Sequence, residues 1–400
     1  MKTICFVKQD AGIRIYKQAK ALKEKNKYKL LLICEKCDYD LLNNVFDDII
    51  FYSFLKNKYN IFFARIVNYG FNNTFKYEEK KLKKIINTID VDIFHAYAEP
   101  NTIPKIVIEN SSVPVIYDTY DFAGVRYGVD ELSKDEKNAE KFNLENADGI
   151  VMKFPEYILD YYKNLGYIIN CPVLTYIDYC NEEFFFNKYL DIDNDIHLVY
   201  GGVVDPTILP VEYYGNNQYI DIAKQLIEQE IYFHIYIKPQ QSKIFKNKYQ
   251  DYIDLSNSSK YFKIHFGKPQ GEFQREISQF HFGVFFHDFS KTKRTELFEQ
   301  TSIGNRLSTY LEAGIPIIIG DNLKLNSEYI EKYDIGFKIN LNDLSELKDK
   351  IKEANYEKLK ENVIKTREGP LNMNNNVNRL IDFYKKIIDD FSGMETKEKK

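Results

Sequence analysis

The sequence predicts an α/β protein made of two Rossmann-like domains, each built on a parallel sheet, that face each other across a cleft. Three observations support this prediction. Four hundred residues exceed what one ordinary core contains. Short apolar runs alternate with amphipathic helical stretches, which is typical of a parallel sheet covered on both faces. This alternation also occurs twice, on either side of a polar segment at residues 180–195.

The first half contains six predicted strands joined by helices. The strands are TICFVK, YKLLLIC, DDIIFYS, VDIFHAY, PVIYDTYDF and DGIVMKF, and the helices cover residues 13–24, 77–88, 102–110 and 137–146. In the 77–88 helix, Leu82, Ile85 and Ile86 recur at helical spacing and form one apolar face. The lysines between them predict a solvated face, and peripheral contact with an anionic membrane surface is the alternative.

The second half repeats the pattern. Its predicted strands are IHLVYGG, YFHIYIKP, YFKIHFGKP, FGVFFHD, IPIIIGD and IGFKINL, and a helix is predicted at residues 217–229. Within the stretch IGNRLSTYLEAGIPIIIGD, Leu307, Tyr310 and Leu311 recur at the spacing of a helix. Gly314 ends that helix, and the isoleucine run that follows predicts a buried strand.

These elements predict the organisation of the whole chain. We expect an N-terminal domain over residues 1–180 and a C-terminal domain over residues 196–370. A helix over residues 371–392 should cross back to the first domain, and residues 393–400 should be a disordered tail.

Composition and charge exclude several classes of protein. The chain has 55 Lys and Arg against 59 Asp and Glu, so it lacks the basic excess of nucleic-acid-binding proteins. The apolar part of MKTICFVKQDAG is too short for a signal peptide, and no apolar run has the length of a spanning helix. We therefore expect a cytoplasmic protein.

Metal sites and disulfides are not predicted. The five cysteines are odd in number, and Cys34 and Cys37 form one CxxC pair without the second pair that a structural zinc site usually needs. Asp191, Asp193 and Asp195 alternate like a calcium loop, but the glycine and glutamate of an EF-hand are missing. We expect neither a bound metal nor a cofactor.

Candidate site residues follow the predicted strands, because open parallel sheets bind ligands beyond the carboxyl ends of their strands. The first half offers Gly12, Arg14, His95, Glu99, Asp118 and Asp121 there, and the second half offers Gly201, Gly202, Lys238, Lys291, Lys293, Arg294 and Arg306. Glycines let backbone N–H groups approach an anion, and cations add charge. The second half is therefore suited to phosphates, and the first half to a neutral, hydroxyl-bearing reactant.

Each candidate has a structural alternative. His95 could be a core histidine whose hydrogen bonds are satisfied. Asp118 and Asp121 could cap a helix in a turn. Arg306 and the 291–294 loop could be ordinary charged surface.

The order of these segments along the chain and their residue types resemble those of GT-B glycosyltransferases of the large retaining family 4. The matching segments are DIFHAYAEPNTIP, PVIYDTYDF, NLENADGIVMKF, CPVLTYIDYCNEEFF, HLVYGGV and NRLSTYLEAGIPIII, and the likeness covers roughly residues 2–370. The resemblance implies transfer of a sugar, with retention and without a metal, from a nucleotide-diphosphate sugar to a glycan, lipid-linked or protein-linked acceptor.

The resemblance also implies roles for individual residues. Asp118, with His95 and Asp121 as further candidates, would be catalytic, and Gly12, Arg14 and Glu99 would lie on the acceptor side. Arg306 would lie near the donor phosphates. The full donor-binding set would be Gly201, Gly202, Lys238, Lys293, Arg294, Arg306, Thr309 and Glu312.

The chain departs from the family pattern in three places. Thr309 stands where the family commonly has a glutamate that holds the donor ribose, and Val203–Pro210 holds no cation. HAYAEP is also one residue longer than the family motif. Two alternatives to the transferase therefore stay open: an inactive homologue that serves as a binding or chaperone subunit of a glycosyltransferase complex, and a UDP-sugar 2-epimerase. The oligomeric state is not predicted.

Overall fold

The computed structural model describes residues 1–53, 71–187, 195–238, 248–290 and 292–398. Asp191, Asp193 and Lys291 from the sequence analysis lie outside these residues. The chain forms two compact units, which are described separately below. The first unit contains residues 1–177 and the chain from residue 376 onward, and the second contains residues 178–375.

The first unit alternates strands and helices along the chain. Its elements are β1 (Lys2–Ala11), α1 (Ile13–Glu24), β2 (Tyr28–Cys37), α2 (Tyr39–Leu42), β3 (Asp48–Phe51), α3 (Phe71–Thr88), β4 (Ile93–Tyr97), α4 (Thr102–Asn110), β5 (Val115–Asp118), α5 (Ala123–Tyr127), α6 (Lys134–Asn146), β6 (Gly149–Met152), α7 (Ile158–Asn164) and β7 (Val173–Thr175). They build a seven-stranded sheet in the order β3-β2-β1-β4-β5-β6-β7.

Every pairing in this sheet is parallel. The strand order reverses between the neighbours β1 and β4, so the carboxyl ends of these two strands form the topological switch point where such sheets bind ligands. An apolar cluster including Val7, Ile33, Leu82 and Ile106 packs α3 and α4 against the sheet. This burial explains why the helical spacing of Leu82 and Ile86 was visible in the sequence.

The second unit repeats the scheme. Its elements are β8 (His197–Gly202), α8 (Val211–Tyr214), α9 (Ile220–Glu228), β9 (Tyr232–Ile237), α10 (Gln250–Ser258), β10 (Phe262–Phe266), α11 (Glu272–Ile277), β11 (Phe282–Phe285), α12 (Glu296–Thr301), α13 (Arg306–Ala313), β12 (Ile317–Gly320), α14 (Lys324–Tyr333), β13 (Gly336–Ile339), α15 (Leu347–Glu353) and α16 (Tyr356–Glu368). They build a six-stranded sheet in the order β10-β9-β8-β11-β12-β13.

This second sheet is also parallel throughout, and its order reverses between β8 and β11. Leu198, Phe233 and Val284 lie in one fully buried cluster that fills the space beside the sheet. Helix α13 ends as predicted at Gly314, whose φ of 75° lies in the left-handed region that favours glycine. Two parallel-sheet α/β units confirm the predicted fold class.

The last helix, α17 (Met373–Glu398), includes residues for which the sequence analysis expected a disordered tail. From residue 376 it belongs to the first unit, where Leu380, Ile381 and Tyr384 are buried. The side chain of Arg379 donates a hydrogen bond to the Thr175 carbonyl oxygen at 2.9 Å. Among the described residues, no helix combines the length and apolarity needed to cross a membrane.

Candidate functional site

The switch point of the second sheet lies where β8 ends in Gly201 and Gly202. The neighbouring strand β11 leads to His287, and Arg306 is the first residue of α13. In a parallel sheet these positions meet at the carboxyl edge. The sequence therefore brings a glycine pair, a histidine and an arginine to the edge where a ligand is expected.

Arg306 is held by three hydrogen bonds at this edge. Its Nε donates to the Gly201 carbonyl oxygen at 3.0 Å, and its Nη2 donates to the Tyr200 hydroxyl. Its Nη1 lies within hydrogen-bond distance of His287 Nε2, and the guanidinium lies 4.6 Å from the centre of the Tyr200 ring. A guanidinium has five N–H groups, so one on each Nη is not used by these contacts. Two donors therefore remain for an anion.

His287 fixes one side of that guanidinium. It is 6% exposed, and its Nδ1 lies 2.7 Å from the Asn216 carbonyl oxygen, which can only accept a hydrogen bond. The proton must therefore be on Nδ1, which leaves Nε2 as an acceptor for Arg306. Burial and the charge of Arg306 lower the pKa of His287 to about 3, so the ring stays neutral at pH 7.

Gly202 makes room for the same side chain. A Cβ at this position would lie 2.4 Å from Arg306 Nη2 and 2.8 Å from its Cζ. Carbon atoms pack at about 3.5–4.0 Å, so no larger residue fits while the guanidinium keeps this position. The sequence predicts that Gly202 lets the backbone approach a phosphate. In the structure, its missing side chain also leaves the space that the Arg306 guanidinium occupies.

Lys238 follows β9 and adds a second cation. Its backbone N–H donates to the Gly202 carbonyl oxygen at 3.3 Å, and its side chain is exposed. Although water reaches this side chain, neighbouring protein atoms remove part of its hydration, and this loss and the charge of Arg306 lower its pKa to about 8. Lys238 is therefore mostly protonated at neutral pH, and two positive charges flank the end of β8.

Three other predicted donor residues lie in different surroundings. Lys293 is exposed and donates to the Tyr213 hydroxyl at 2.8 Å, and it lies 3.9 Å from Glu212 Oε2. Arg294 is half-buried in the same loop. The Thr309 hydroxyl donates to the Asn305 carbonyl oxygen at 3.1 Å, one turn back in its own helix. None of these contacts brings the three residues to the Arg306 guanidinium.

Glu312, also predicted to bind the donor, makes its hydrogen bonds to groups inside the second unit. It is fully buried, and one carboxylate oxygen accepts from the Asn181 backbone N–H at 2.9 Å. The other oxygen accepts from Gln274 Nε2 at 3.0 Å. Since both oxygens are occupied, Glu312 fits a structural role that ties residue 181 and α11 to α13.

In the first unit, the predicted catalytic Asp118 is fully buried at the end of β5. Arg14 Nη2 lies 3.1 Å from its Oδ2 and 3.3 Å from its Oδ1, and the Tyr120 N–H donates to Oδ1 at 3.1 Å. Burial opposes ionisation, but the charge of Arg14 and the neighbouring His95 outweigh it and lower the pKa of Asp118 to about 2. A buried carboxylate of this kind is a weak base, and it suits the role of a counterion for Arg14.

His95 is a core histidine, but among the described residues only one of its ring nitrogens has a hydrogen-bond partner. It is fully buried, its Nδ1 lies 2.7 Å from the Tyr384 hydroxyl, and its Nε2 lies 3.4 Å from Asp118 Oδ2. Its ring stacks on Tyr97 at 4.5 Å, and burial lowers its pKa. Gly12 is the N-cap residue of α1, the helix that carries Arg14.

Glu99 and Asp121 are the predicted carboxylates of this unit that solvent reaches. Glu99 is 42% exposed and Asp121 is 13% exposed. Arg126 Nη1 lies 3.3 Å from Glu99 and 3.7 Å from Asp121, and Lys153 Nζ lies 2.8 Å from Asp121. Glu99 has φ = 65° and Tyr120 has φ = 49°, a backbone region that side chains seldom adopt and that clusters at functional sites.

These neighbours shift the pKa values of Glu99 and Asp121 in opposite directions. Burial, followed by the charge of Asp121, raises the pKa of Glu99. Burial would also raise the pKa of Asp121, but Lys153 and Arg126 outweigh it and hold that pKa below its ordinary value. Glu99 is consequently the stronger base of the pair.

Sequence reasoning missed several members of both clusters. Lys153 directly follows β6, so the strand-end rule that selected Asp118 could have found it. Lys8 is the last residue of the predicted TICFVK strand, so it was counted within the strand and not among the residues that follow it. Tyr200 and His287 carried no local signal, since their importance depends on contact with Arg306.

Comparison with known proteins found a family model that matches part of the second unit and solved structures that share the fold. Residues 225–372 match the family model described as "Glucosyltransferase 3-like, C-terminal domain". A search of curated proteins found no match.

Solved structures resemble the chain over almost its whole length. A glycosyltransferase from Rickettsia africae is 12% identical with a TM-score of 0.63, over 97% of this chain and 98% of that one. Anabaena HepE in complex with UDP and glucose is 11% identical with a TM-score of 0.63, over 96% and 98%. A candidate UDP-N-acetylglucosamine 2-epimerase from Listeria monocytogenes is 11% identical with a TM-score of 0.57, over 98% of each chain.

At these identities the structural likeness establishes the fold and not the reaction. The chain has the GT-B fold of glycosyltransferases, and its residues 225–372 match the C-terminal domain of glucosyltransferase 3-like proteins.

Proposed function

We propose that the chain is a glycosyltransferase that moves a sugar from a nucleoside diphosphate sugar to a hydroxyl group of its acceptor. The observation that carries the proposal is the seating of the Arg306 guanidinium against Gly201 and Gly202, with two N–H groups to spare and Lys238 beside it. The glucosyltransferase 3-like match and the UDP and glucose bound by HepE make UDP-glucose the first donor to test.

The second unit would bind the diphosphate. Arg306 offers one remaining N–H on each Nη, which suits two phosphate oxygens, and Lys238 adds a mobile point charge. Tyr200 and His287 hold the guanidinium before the donor arrives, so little rearrangement is needed when negative charge develops on the leaving group. Metal-independent transfer is part of the proposal because these two cations can meet that charge.

The first unit would bind the acceptor, with Glu99 as the acceptor of its hydroxyl proton. Solvent reaches the Glu99 side chain, but neighbouring protein atoms remove part of its hydration. This loss of hydration and the charge of Asp121 raise its pKa, so it is a better base than the buried Asp118. Asp118 would act as a positioning residue that holds Arg14.

The chemical step is a substitution at the anomeric carbon. The acceptor oxygen bonds to that carbon on the face from which the diphosphate oxygen leaves, and the bond from the carbon to the diphosphate oxygen breaks. The nucleoside diphosphate leaves with the bonding electron pair, and the hydroxyl proton passes to Glu99. Retention of configuration is included because the family that the sequence resembles retains it.

An inactive homologue that serves as a binding or chaperone subunit is the second candidate. Thr309 favours it, because the residue stands where a ribose-binding glutamate is common and its hydroxyl is already bonded to the Asn305 carbonyl. An epimerase shares the fold, but it would act on the nucleotide sugar without an acceptor.

Isothermal titration with UDP-glucose, followed by an assay for UDP release, tests the proposal. We expect binding by the parent chain and by Lys224→Ala, an exposed lysine of α9 paired only with Asp221 among the described residues. Arg306→Ala should bind roughly ten- to a hundredfold more weakly, as expected for loss of a charge-assisted hydrogen bond. Binding without UDP release for any acceptor would favour the inactive homologue, and conversion of UDP-N-acetylglucosamine to its 2-epimer would favour the epimerase. No binding of any nucleotide sugar would overturn the proposal.

A further inference from the structure

The switch point of the first sheet contains more positive charge than the sequence analysis anticipated. Arg14, Arg126 and Lys153 follow β1, β5 and β6, and Lys8 lies within β1 itself. From the sequence, we expect carboxylates suited to a neutral reactant in this unit. The structure instead brings four cations to the same sheet edge as three carboxylates.

The three carboxylates are all paired. Arg14 lies 3.1 Å from Asp118, and Lys153 lies 2.8 Å from Asp121. Arg126 lies 3.3 Å from Glu99. These pairs account for three of the four cations in the cluster.

Lys8 is the fourth cation, and among the described residues its ammonium makes no salt bridge. It donates one hydrogen bond to the Ala98 carbonyl oxygen, and an ammonium has three donors. The residue is half-buried, and an incompletely compensated charge in such a place is costly. Desolvation lowers the pKa of Lys8, and Glu99 and Asp118 partly offset this.

Three of the four cations lie close to the aromatic ring of Tyr120. The centre of its ring lies 5.3 Å from Lys8 Nζ, 5.6 Å from Arg14 Cζ and 4.5 Å from Lys153 Nζ. The backbone of Tyr120 has a φ of 49°, in the left-handed region that is unfavourable for a residue with a side chain. Asp118 balances the charge of Arg14, and Asp121 balances that of Lys153. Lys8 is therefore the cation beside this ring whose charge no salt bridge balances among the described residues, and an anion bound beside it would supply that balance.

We propose that the acceptor bound by the first unit carries a phosphate group, and that Lys8 is its docking point. This inference rests on the proposed function, since it names the acceptor class of the same reaction. Lys8 has two donors for phosphate oxygens, and it lies close enough to Glu99 for their charges to interact. The acceptor is thereby anchored through its phosphate while its hydroxyl meets Glu99. A free sugar phosphate and a lipid-linked phosphate present the same chemistry to Lys8.

The test is a titration of inorganic phosphate into the full chain saturated with UDP, followed by ³¹P NMR line broadening. UDP occupies the cations of the second unit, so remaining binding reports on the first unit. We expect phosphate to bind the parent chain and Lys8→Arg, and to bind Lys8→Met at least tenfold more weakly. Lys163→Met, which removes an exposed lysine of α7, should behave like the parent.

Several outcomes would overturn the inference. They are no phosphate binding by the parent chain, equal binding by Lys8→Met, and equal binding of acetate and phosphate. Thermal unfolding of Lys8→Met, compared with Lys8→Arg, checks that the variant is folded. Glucose 1-phosphate and geranyl phosphate then distinguish the two sources, and failure of both to compete with inorganic phosphate would also count against an acceptor phosphate.

A failure of the phosphate site at Lys8 can be distinguished from a failure of the proposed donor binding. If UDP does not bind, the donor assignment fails, and the phosphate titration is repeated on Arg306→Ala. Dependence on Lys8 in that variant still supports a phosphate site in the first unit, and its loss there overturns the site as well.

Discussion

Substituting Gly202 by alanine should disable the donor site without touching a charge. The new Cβ would lie 2.4 Å from Arg306 Nη2 and 2.5 Å from its Nε. The backbone at Gly202 is not in the left-handed region, so alanine causes no strain of its own. The only large effect is therefore displacement of the guanidinium from its seat.

The size of the effect follows from the distances. Because non-bonded carbon atoms pack at about 3.5–4.0 Å, the guanidinium must move by about 1 Å. A shift of that size in a positioned group costs on the order of 10²-fold in rate. Donor affinity should fall roughly ten- to a hundredfold, or about 1.5–3 kcal/mol, as for loss of one charge-assisted hydrogen bond.

A double-mutant cycle measures whether Gly202 acts through Arg306. UDP-glucose affinity and turnover are measured for Gly202→Ala, Arg306→Ala and the double variant. The double variant should bind no more weakly than Arg306→Ala, because the displaced group is already gone. Gly393→Ala is the matched control, since a Cβ there would meet nothing within 4 Å.

Two results would refute this reasoning. Unchanged affinity in Gly202→Ala would mean that the guanidinium moves without consequence, so its position is not what binds the donor. Additive losses in the double variant would mean that alanine disturbs donor binding by a route independent of Arg306.

Four further predictions concern pH, catalysis and metals. Donor affinity should fall as pH rises through about 8, where Lys238 loses its proton, and Lys238→Met should flatten that dependence in a titration series; an equally steep fall in the variant would assign it to another group. Glu99→Gln should reduce turnover by about 10²–10⁴-fold with little change in donor affinity, and near-normal turnover would exclude a proton-accepting role. The pKa of the buried Glu140 is raised to about 7 from an ordinary 4.5, so the stability it contributes is present below pH 4.5 and is lost as pH rises to 7. The unfolding free energy of the parent should therefore decrease relative to Glu140→Gln across that window by roughly 2–4 kcal/mol, and a constant difference would contradict the shift. Transfer should persist in EDTA, and complete loss that Mn²⁺ restores would overturn the metal-independent mechanism.

The fold was predictable because its signals are local. The apolar runs of β1, β5 and β12 are fully or largely buried, and burial on both faces is what makes a parallel strand recognisable in a sequence. The strand β7 was missed because it has three residues, all half-buried at the edge of its sheet. Short edge strands bury too little apolar surface to leave a pattern.

The site was only partly predictable because burial of a charged group is decided by distant partners. Arg306 could be proposed from its position at the start of a helix after a buried strand. The environment of Asp118 depends on Arg14, which lies 104 residues earlier in the chain, and on His95. The residue type and the strand end are visible in the sequence, but the ion pair that makes Asp118 a weak base is not. Lys8 was counted within a predicted strand, and its importance depends on the salt bridges that the three neighbouring cations make and that it does not make among the described residues.

The place of α17 has a consequence for biosynthesis. The first unit includes residues from both the beginning and the end of the chain, and Tyr384 on α17 contacts the buried His95. A ribosome adds about 5–20 residues per second. The helix α17 that packs on the first unit is therefore synthesised only after the entire second unit has been made. The second unit, residues 178–375, is a continuous segment and can therefore complete its fold first. Until α17 emerges, the surface of the first unit that Leu380, Ile381 and Tyr384 cover stays exposed to water.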